Sequence, residues 1–533
     1  MTTAAVLVVA FAATALYRFL PLTGFSNDHH VYLAGAQQIL HGYWPTRDWV
    51  DPGMPLMFAA SAAAQLAIGR TQYAEALLVI TAFGAASCAI VLAGRRLSGS
   101  AAAGALAALA AVLIFPRTYA YPKVLLYAVA PLTWAYYLRR PGTPAAAVIA
   151  GWVTIAGLFR HDHGAFLAIA GFLAILLTPA RGAGEMARRG AVYAGLIAVM
   201  AAPYAIYVAV NGGIGRYIAM GLGFSAAEAE RSQLLAPTFS LAAPAGANAE
   251  AWLYYVYRAL PIVAAVVMAA RWFTGGRPTD APLVVALIAT AALVNNSFLR
   301  DPLDARIPDA VVPNVLLAVW LAGRAFAVRR PAPRAAAVAL VVVLASGSAL
   351  AIGVVGEAPE VVNRGGLAHP AHWPEYVSRR TRELRSRFSD RQVPHGHVTP
   401  LVPFFRYLDR CAPPASHLLV AGFAPELFVY SRRPFAAGVT SFVDGYHQSA
   451  EAQQAMVARL TRQTVPFTLA YSDGLDDWQT AFPLVASYVR GRFAPMTDIP
   501  TSSDRSLHVL VDTQLRPAGR DPETSWPCFQ VTS

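Results

Sequence analysis

The sequence predicts a mainly α-helical, polytopic membrane bundle followed by a small α/β domain. Three observations carry that prediction. Apolar residues make up 56% of the 533-residue chain against 14% charged, and mean hydropathy is +0.44, the balance of a polytopic membrane protein. Ala/Val/Leu-rich runs recur as far as Val355. From Gly356 they stop, and short strand-like and helix-like segments alternate instead.

Eleven candidate spans follow from the apolar runs: Thr3 to Leu20, Ala74 to Ala93, Ala101 to Phe115, Val124 to Leu138, Ala145 to Phe159, Ala165 to Leu177, Ala191 to Val210, Tyr254 to Ala270, Ala281 to Val294, Ala310 to Val328 and Ala335 to Val355. Several are shorter than the roughly 20 residues a span usually needs. The run Pro55 to Ile68 reads either as a further span or as a helix lying on the outer face. Charge decides between the two. With Pro55–Ile68 on the surface, five arginine clusters share one side: Arg95-Arg96, Arg139-Arg140, Arg181 with Arg188-Arg189, Arg271 with Arg277, and Arg324 through Arg334. That side is then cytoplasmic; a spanning Pro55–Ile68 turns all five outward. Arg18, near the outer end of the first span, is the exception and is expected to snorkel to the headgroups. The first span has no basic n-region or small-residue cleavage site and reads as uncleaved.

In this register the outer face receives the opening loop (Thr23 to Tyr73), Pro116 to Lys123, Arg160 to Gly164, a long loop from Asn211 to Leu253, and Leu299 to Arg306. The dense polar groups all gather on that side. Net charge is +12 and the pI about 9.7. The arginines sit between apolar runs, so this basicity reads as membrane topology, and no nucleic-acid partner is expected.

In the C-terminal region His417 to Ala421, Phe467 to Tyr471 and Leu507 to Val511 read as strands. Ala424 to Ser431, Gln448 to Arg462 and Gln479 to Arg490 read as helices. Arg379 to Arg391 is a basic, helical stretch. The expected division is a transmembrane catalytic domain over 1–355, with its outer-face loop at 23–73, and an extracytoplasmic α/β domain over 356–533. Cys88 lies in an apolar run, where it is inert. Cys411 and Cys528 can pair if their region is extracytoplasmic.

The stretch from Ser26 to Leu56 brings Asp28, Asp48, Asp51, three histidines and several aromatic residues to the outer face. Asp28 suits a general base toward a hydroxyl, or else a solvated loop acid or helix cap. Lys123, the one lysine in the chain, lies near Arg117 at a span end, where cations suit a phosphate at headgroup depth or a snorkelling anchor. Arg160-His161-Asp162-His163 sets four ionisable groups between two apolar runs, which favours a polar cavity with phosphate binding or metal ligation. His29, His30, Asp28, His161, Asp162 and His163 are candidate ligands for a divalent cation, although none has a tight His-x-x-x-His spacing. Arg300, Asp301, Asp304 and Arg306 read as a salt-bridged loop or as part of a substrate site. The chain has no Gly-rich phosphate loop, Walker sequence or nucleophile elbow, which argues against a nucleotide-driven pump.

The opening loop resembles that of the polyprenyl-phosphate-dependent GT-C glycosyltransferases, the superfamily of protein O-mannosyltransferases and the lipid A aminoarabinose transferase. The resemblance rests on Asp28, Tyr32, Gly42-Tyr43-Trp44-Pro45, Arg47-Asp48-Trp49 and Asp51-Pro52-Gly53-Met54-Pro55-Leu56. Gly157 to Gly164 is similar to the family's fifth-span segment, and Leu418 to Leu427 with Arg432-Arg433-Pro434 to the periplasmic domain of bacterial members. Two departures stand out. His29 follows Asp28 where many relatives have a second acid, and Arg160 or a histidine replaces the fifth-span lysine.

The resemblance implies a GT-C-like bundle in a bacterial inner membrane, with its active site and C-terminal domain extracytoplasmic. It implies an inverting single displacement from a polyprenyl-phosphate-linked sugar to a hydroxyl of an acceptor glycan, lipid or protein. Asp28, with Asp51, would be catalytic; Lys123, Arg117, Arg160 and His163 would hold the phosphate. Asp48, Tyr32 and Asp162 would contact substrate or acceptor, and His29 and His161 are the metal candidates. Two other readings stay open: a transporter or flippase of lipid-linked saccharides, and an inactive cell-envelope assembly protein. Transporters tend to show internal repeats and mid-span charges, and neither is evident here.

Overall fold

The computed structural model describes residues 2–25, 28–231, 236–276, 278–300, 302–328, 331–386, 398–502 and 504–530. Asp301, Arg277 and the 387–397 part of the basic stretch lie outside them. The chain divides into two compact units. One comprises Met1–Leu22, Leu77–Ile206 and Ala229–Ser378; the other comprises Thr23–Ala76, Tyr207–Glu228 and Arg379–Ser533.

The first unit is built from helices. Thr143–Phe159 packs on His161–Leu176, which packs on Ala281–Asn295; Ala245–Gly275 lies against Ala281–Asn295, Val311–Phe326 and Pro331–Val355. Among the described residues five helices are long and apolar enough to cross a membrane: Gln72–Ser98, Ala183–Asn211, Ala245–Gly275, Ala281–Leu299 and Pro331–Val355. The pair Leu303–Asp309 and Val311–Phe326, bent by 56°, makes a sixth if the two count as one span. Eleven spans are expected from the sequence; Thr3–Phe19, Ala101–Leu113, Thr143–Phe159 and His161–Leu176 are apolar but no longer than 17 residues. A 17-residue helix is about 26 Å long, short of the roughly 30 Å hydrocarbon core. Ala183–Asn211 and Pro331–Val355 leave Val199, Ile206, Leu340 and Val343 exposed. Such surfaces are costly against water and stable against lipid. This is a multi-pass membrane protein.

Three outer-face loops expected from the sequence are largely helical. Only Arg160 interrupts the helices around it, in extended backbone, and helix resumes at His161. Asn211 to Leu253 contains Ile214–Arg231 and the start of Ala245–Gly275. Lys123 sits in the first turn of Tyr121–Arg139, entered through a 3-10 turn at Thr118–Ala120. Arg18 does not snorkel: it is buried.

In the second unit, helix Asp28–Leu40 packs on Pro55–Ile68 and on Glu426–Ser431. Its larger sheet has four strands, β1 (Leu418–Ala421), β2 (Phe467–Tyr471), β3 (Phe493–Pro500) and β4 (Ser506–Asp512), in the order β1-β2-β4-β3. β1 and β2 are parallel, while β4 runs antiparallel to both β2 and β3. Every residue of β1 and β2 is buried, as expected of strands covered on both faces. Leu419, Phe442, Met456, Trp478, Phe482 and Val485 belong to the core beside them. The expected helix Gln479 to Arg490 is two helices, Leu475–Ala481 and Pro483–Arg492, because Pro483 cannot continue the first. A disulfide joins Cys411 to Cys528.

Candidate functional site

In the membrane unit the site grows from a tight helix corner. Gly164 faces Gly157 so closely that any Cβ on Gly164 would collide with the Gly157 backbone. The two glycines let Thr143–Phe159 and His161–Leu176 fold back on one another at Arg160. The corner projects Arg160, Asp162 and His163 from adjacent positions. Arg160 Nε lies 3.0 Å from Asp162 Oδ1. His163 is buried; its Nδ1 shares a hydrogen bond with the Tyr127 hydroxyl. Its Nε2 stands 3.8 Å from the Asp162 carboxylate, too far for a hydrogen bond.

Helix Tyr121–Arg139 supplies Lys123, buried and paired with Asp309. Asp309 ends the short helix Leu303–Asp309 at the 56° bend, after Pro308. Just beyond the bend, Asn314 and Asn295 exchange amide hydrogen bonds, and Asn314 Nδ2 also donates to the Ala310 carbonyl at 2.8 Å. These bonds fix the corner that carries Asp309. Arg160 and Arg306 both act electrostatically on the Lys123 ammonium. The cluster therefore sets three cations against the carboxylates of Asp309 and Asp162, and Asp309 Oδ1 has no hydrogen-bond partner among the described residues. Arg117 pairs with Asp304 at 2.9 Å. His161 is exposed at the start of its helix.

Arg300 also lies in the first unit, and the predicted residues of the opening loop belong to the second. Asp28 is exposed in the first turn of Asp28–Leu40 and has no ion pair or side-chain hydrogen bond among the described residues. His29 is fully buried: Nε2 lies 2.8 Å from Glu75 Oε1, which also accepts from Ser61 Oγ at 2.8 Å, and the Phe25 ring stacks on it at 4.2 Å. Tyr32 is buried beside His29 and Phe58. Asp48 Oδ2 accepts from the Trp44 amide and from Arg47. Asp51 Oδ1 accepts from the Gly53 and Met54 amides at 2.8 Å, and Oδ2 from the Tyr217 hydroxyl. Asp48 and Asp51 thus brace the turn that leads into Pro55–Ile68.

Asp309, Tyr127, Glu75 and Ser61 are the members that sequence reasoning misses. An acid beside a proline at the edge of an apolar run was the available signal for Asp309. Among the described residues, the one group of three possible metal ligands is Cys411, Asp521 and Cys528, and its two sulfurs are bonded to each other.

The fold has a solved counterpart. The crystal structure of ArnT from Cupriavidus metallidurans bound to undecaprenyl phosphate matches with a TM-score of 0.51 and 15% identity, over 96% of this chain and 99% of that one. This chain shares the fold of that structure. Apo ArnT from the same organism matches at 0.47, with 14% identity over 95% of this chain and 98% of that one. The Archaeoglobus fulgidus oligosaccharyltransferase in complex with Zn and sulfate matches at 0.46, with 12% identity over 96% and 73%. Scores below 0.5 add nothing to the assignment. No family model matches the sequence, and no curated protein is similar enough to count as a match. The likeness therefore rests on shape, over almost the whole length of both chains.

Proposed function

We propose that this protein is a membrane glycosyltransferase that moves a sugar from a polyprenyl-phosphate donor to an acceptor hydroxyl. The observation that carries the reading is the Lys123–Arg160–Arg306 cluster in a GT-C fold: three cations at helix ends, with fewer carboxylates than cations. The counterpart bound to undecaprenyl phosphate supports the class of donor.

In the reaction, an acceptor oxygen forms a bond to the anomeric carbon while the bond from that carbon to the phosphate oxygen breaks. The electron pair leaves with the polyprenyl phosphate, and the hydroxyl proton passes to Asp28. Lys123, Arg160 and Arg117, with His163, stabilise the charge that develops on the leaving phosphate. Asp28 suits the base because its carboxylate is exposed and has no ion pair among the described residues, whereas the oxygens of Asp51 already hold a turn. Asp48, Tyr32 and Asp162 remain the candidates for substrate contacts. The Cys411–Cys528 disulfide and the arginine distribution support an extracytoplasmic C-terminal region, in a bacterial inner membrane.

The test is incubation of the purified protein in nanodiscs with radiolabelled polyprenyl-phosphate sugars and a membrane extract as acceptor. Labelled product and released polyprenyl phosphate are expected. Movement of the lipid across vesicles without product would instead favour a flippase.

A further inference from the structure

Arg18 is a buried charge that the proposed reaction leaves unused. It is the next-to-last residue of helix Thr3–Phe19 and is 5% exposed. Its guanidinium lies 4.0 Å from the Phe83 ring centroid and 4.1 Å from that of Phe115. Nη2 donates to the Pro116 carbonyl; Nη1 reaches no acceptor, and no carboxylate pairs with Arg18 among the described residues. A guanidinium removed from water without a counter-ion is strongly disfavoured, and two ring faces and one carbonyl offset only part of that penalty. An ionisable residue in such a place points to a task that a neutral side chain does not perform.

The guanidinium grips one turn. Phe115 has a φ of 52°, in the left-handed region that a residue with a Cβ avoids. The same turn is closed at Leu113 by Gly356, where any Cβ would collide with the Leu113 carbonyl oxygen. The chain leaving the turn passes directly to Arg117, paired with Asp304, and through Thr118–Ala120 into the helix whose first turn carries Lys123. The arginine thus holds the carbonyl immediately before the first of these two cations.

We propose that Arg18 is a positioning residue: it clamps the Phe115–Pro116 turn and so sets Arg117 and Lys123 for a phosphate. The inference rests on reading that cluster as the donor-phosphate site.

The experiment compares wild type and Arg18→Met in nanodiscs by three readouts: thermal midpoint, amide hydrogen exchange over residues 113–123, and affinity for undecaprenyl phosphate. Methionine fills the gap between the rings without a desolvated charge, so the midpoint should hold or rise. Exchange over 116–120 should speed at least tenfold, and lipid-phosphate affinity should fall about tenfold. With a labelled donor, KM should rise while kcat changes less than threefold. Unchanged exchange and affinity in the folded variant would overturn the clamp. So would losses that only track a lower midpoint, since those mark a purely structural side chain. If Arg18→Met does not fold, Arg18→Lys serves, because an ammonium cannot bridge two ring faces and a carbonyl in one plane; the same readouts and outcomes apply. A wild type that ignores undecaprenyl phosphate defeats the donor assignment instead, and the exchange rates still decide the clamp.

Discussion

The Lys123 ammonium and the Asp309 carboxylate form an ion pair whose side chains are 10% and 7% exposed, across a separation of 186 residues. Removing one member of a buried pair strands the other charge. Asp309→Asn should therefore destabilise the protein by about 3–5 kcal/mol, read as a lower midpoint in detergent. The double variant Lys123→Met with Asp309→Leu should recover most of that stability yet bind no polyprenyl phosphate. Equal stability of the single and double variants would show that the pair is not coupled.

His29 and Glu75 make a second buried pair, with Ser61 on the same carboxylate oxygen. Glu75→Ala should cost about 3 kcal/mol or more, since it strands a histidine stacked on Phe25. Ser61→Ala removes one charge-assisted hydrogen bond and should cost about 1.5–3 kcal/mol. Thermal unfolding of the two variants measures the order; a larger loss for Ser61→Ala would contradict it.

Cysteine labelling tests the disulfide. The chain has three cysteines, of which only Cys88 is free. A maleimide reagent under denaturing conditions should add one label without reductant and three with it. Three labels without reductant on protein prepared from the membrane would contradict the oxidised pair and weaken the extracytoplasmic assignment.

Acid should weaken the C-terminal region. Burial, with His41 nearby, pushes the His417 imidazole down to about 4 from its ordinary 6.5. Between those values the unfolded chain binds a proton that the folded chain refuses, so stability is full above pH 6.5 and is lost as pH falls toward 4. The loss is on the order of 3 kcal/mol. Midpoints measured from pH 7.5 to 4.5 should fall, and His417→Leu should flatten that slope; an unchanged slope in the variant would remove His417 as the cause.

Much of the fold is legible in the sequence because its signals are local. Apolar runs mark the helices of the membrane unit, and short apolar runs, interrupted only by Thr468, mark β1 and β2. β3 is hidden by Pro495 and Pro500, which read as breakers; it survives because it is an edge strand with a register shift between Pro495 and Thr497. The long loop after Asn211 hides an amphipathic helix in which charged residues obscure the apolar period. At the site, Lys123, Arg160 and His163 are visible as charges in apolar surroundings. Asp309, the partner of Lys123, is not visible, because it is paired through the tertiary fold; nor is Glu75, the partner of His29 in the other unit, which reads as an ordinary first-turn acid favoured by the helix dipole.

The most direct test of the central claim is sugar transfer by Asp28→Asn beside wild type, with labelled polyprenyl-phosphate sugar and lipid-phosphate binding measured on the same preparations. The prediction is that wild type forms product, while the variant binds undecaprenyl phosphate within about twofold of wild type and loses at least 99% of transfer, roughly the 10²-fold or more that a general base contributes. Full transfer by the folded variant would contradict Asp28 as base, and no product from wild type with any such donor would contradict the transferase itself.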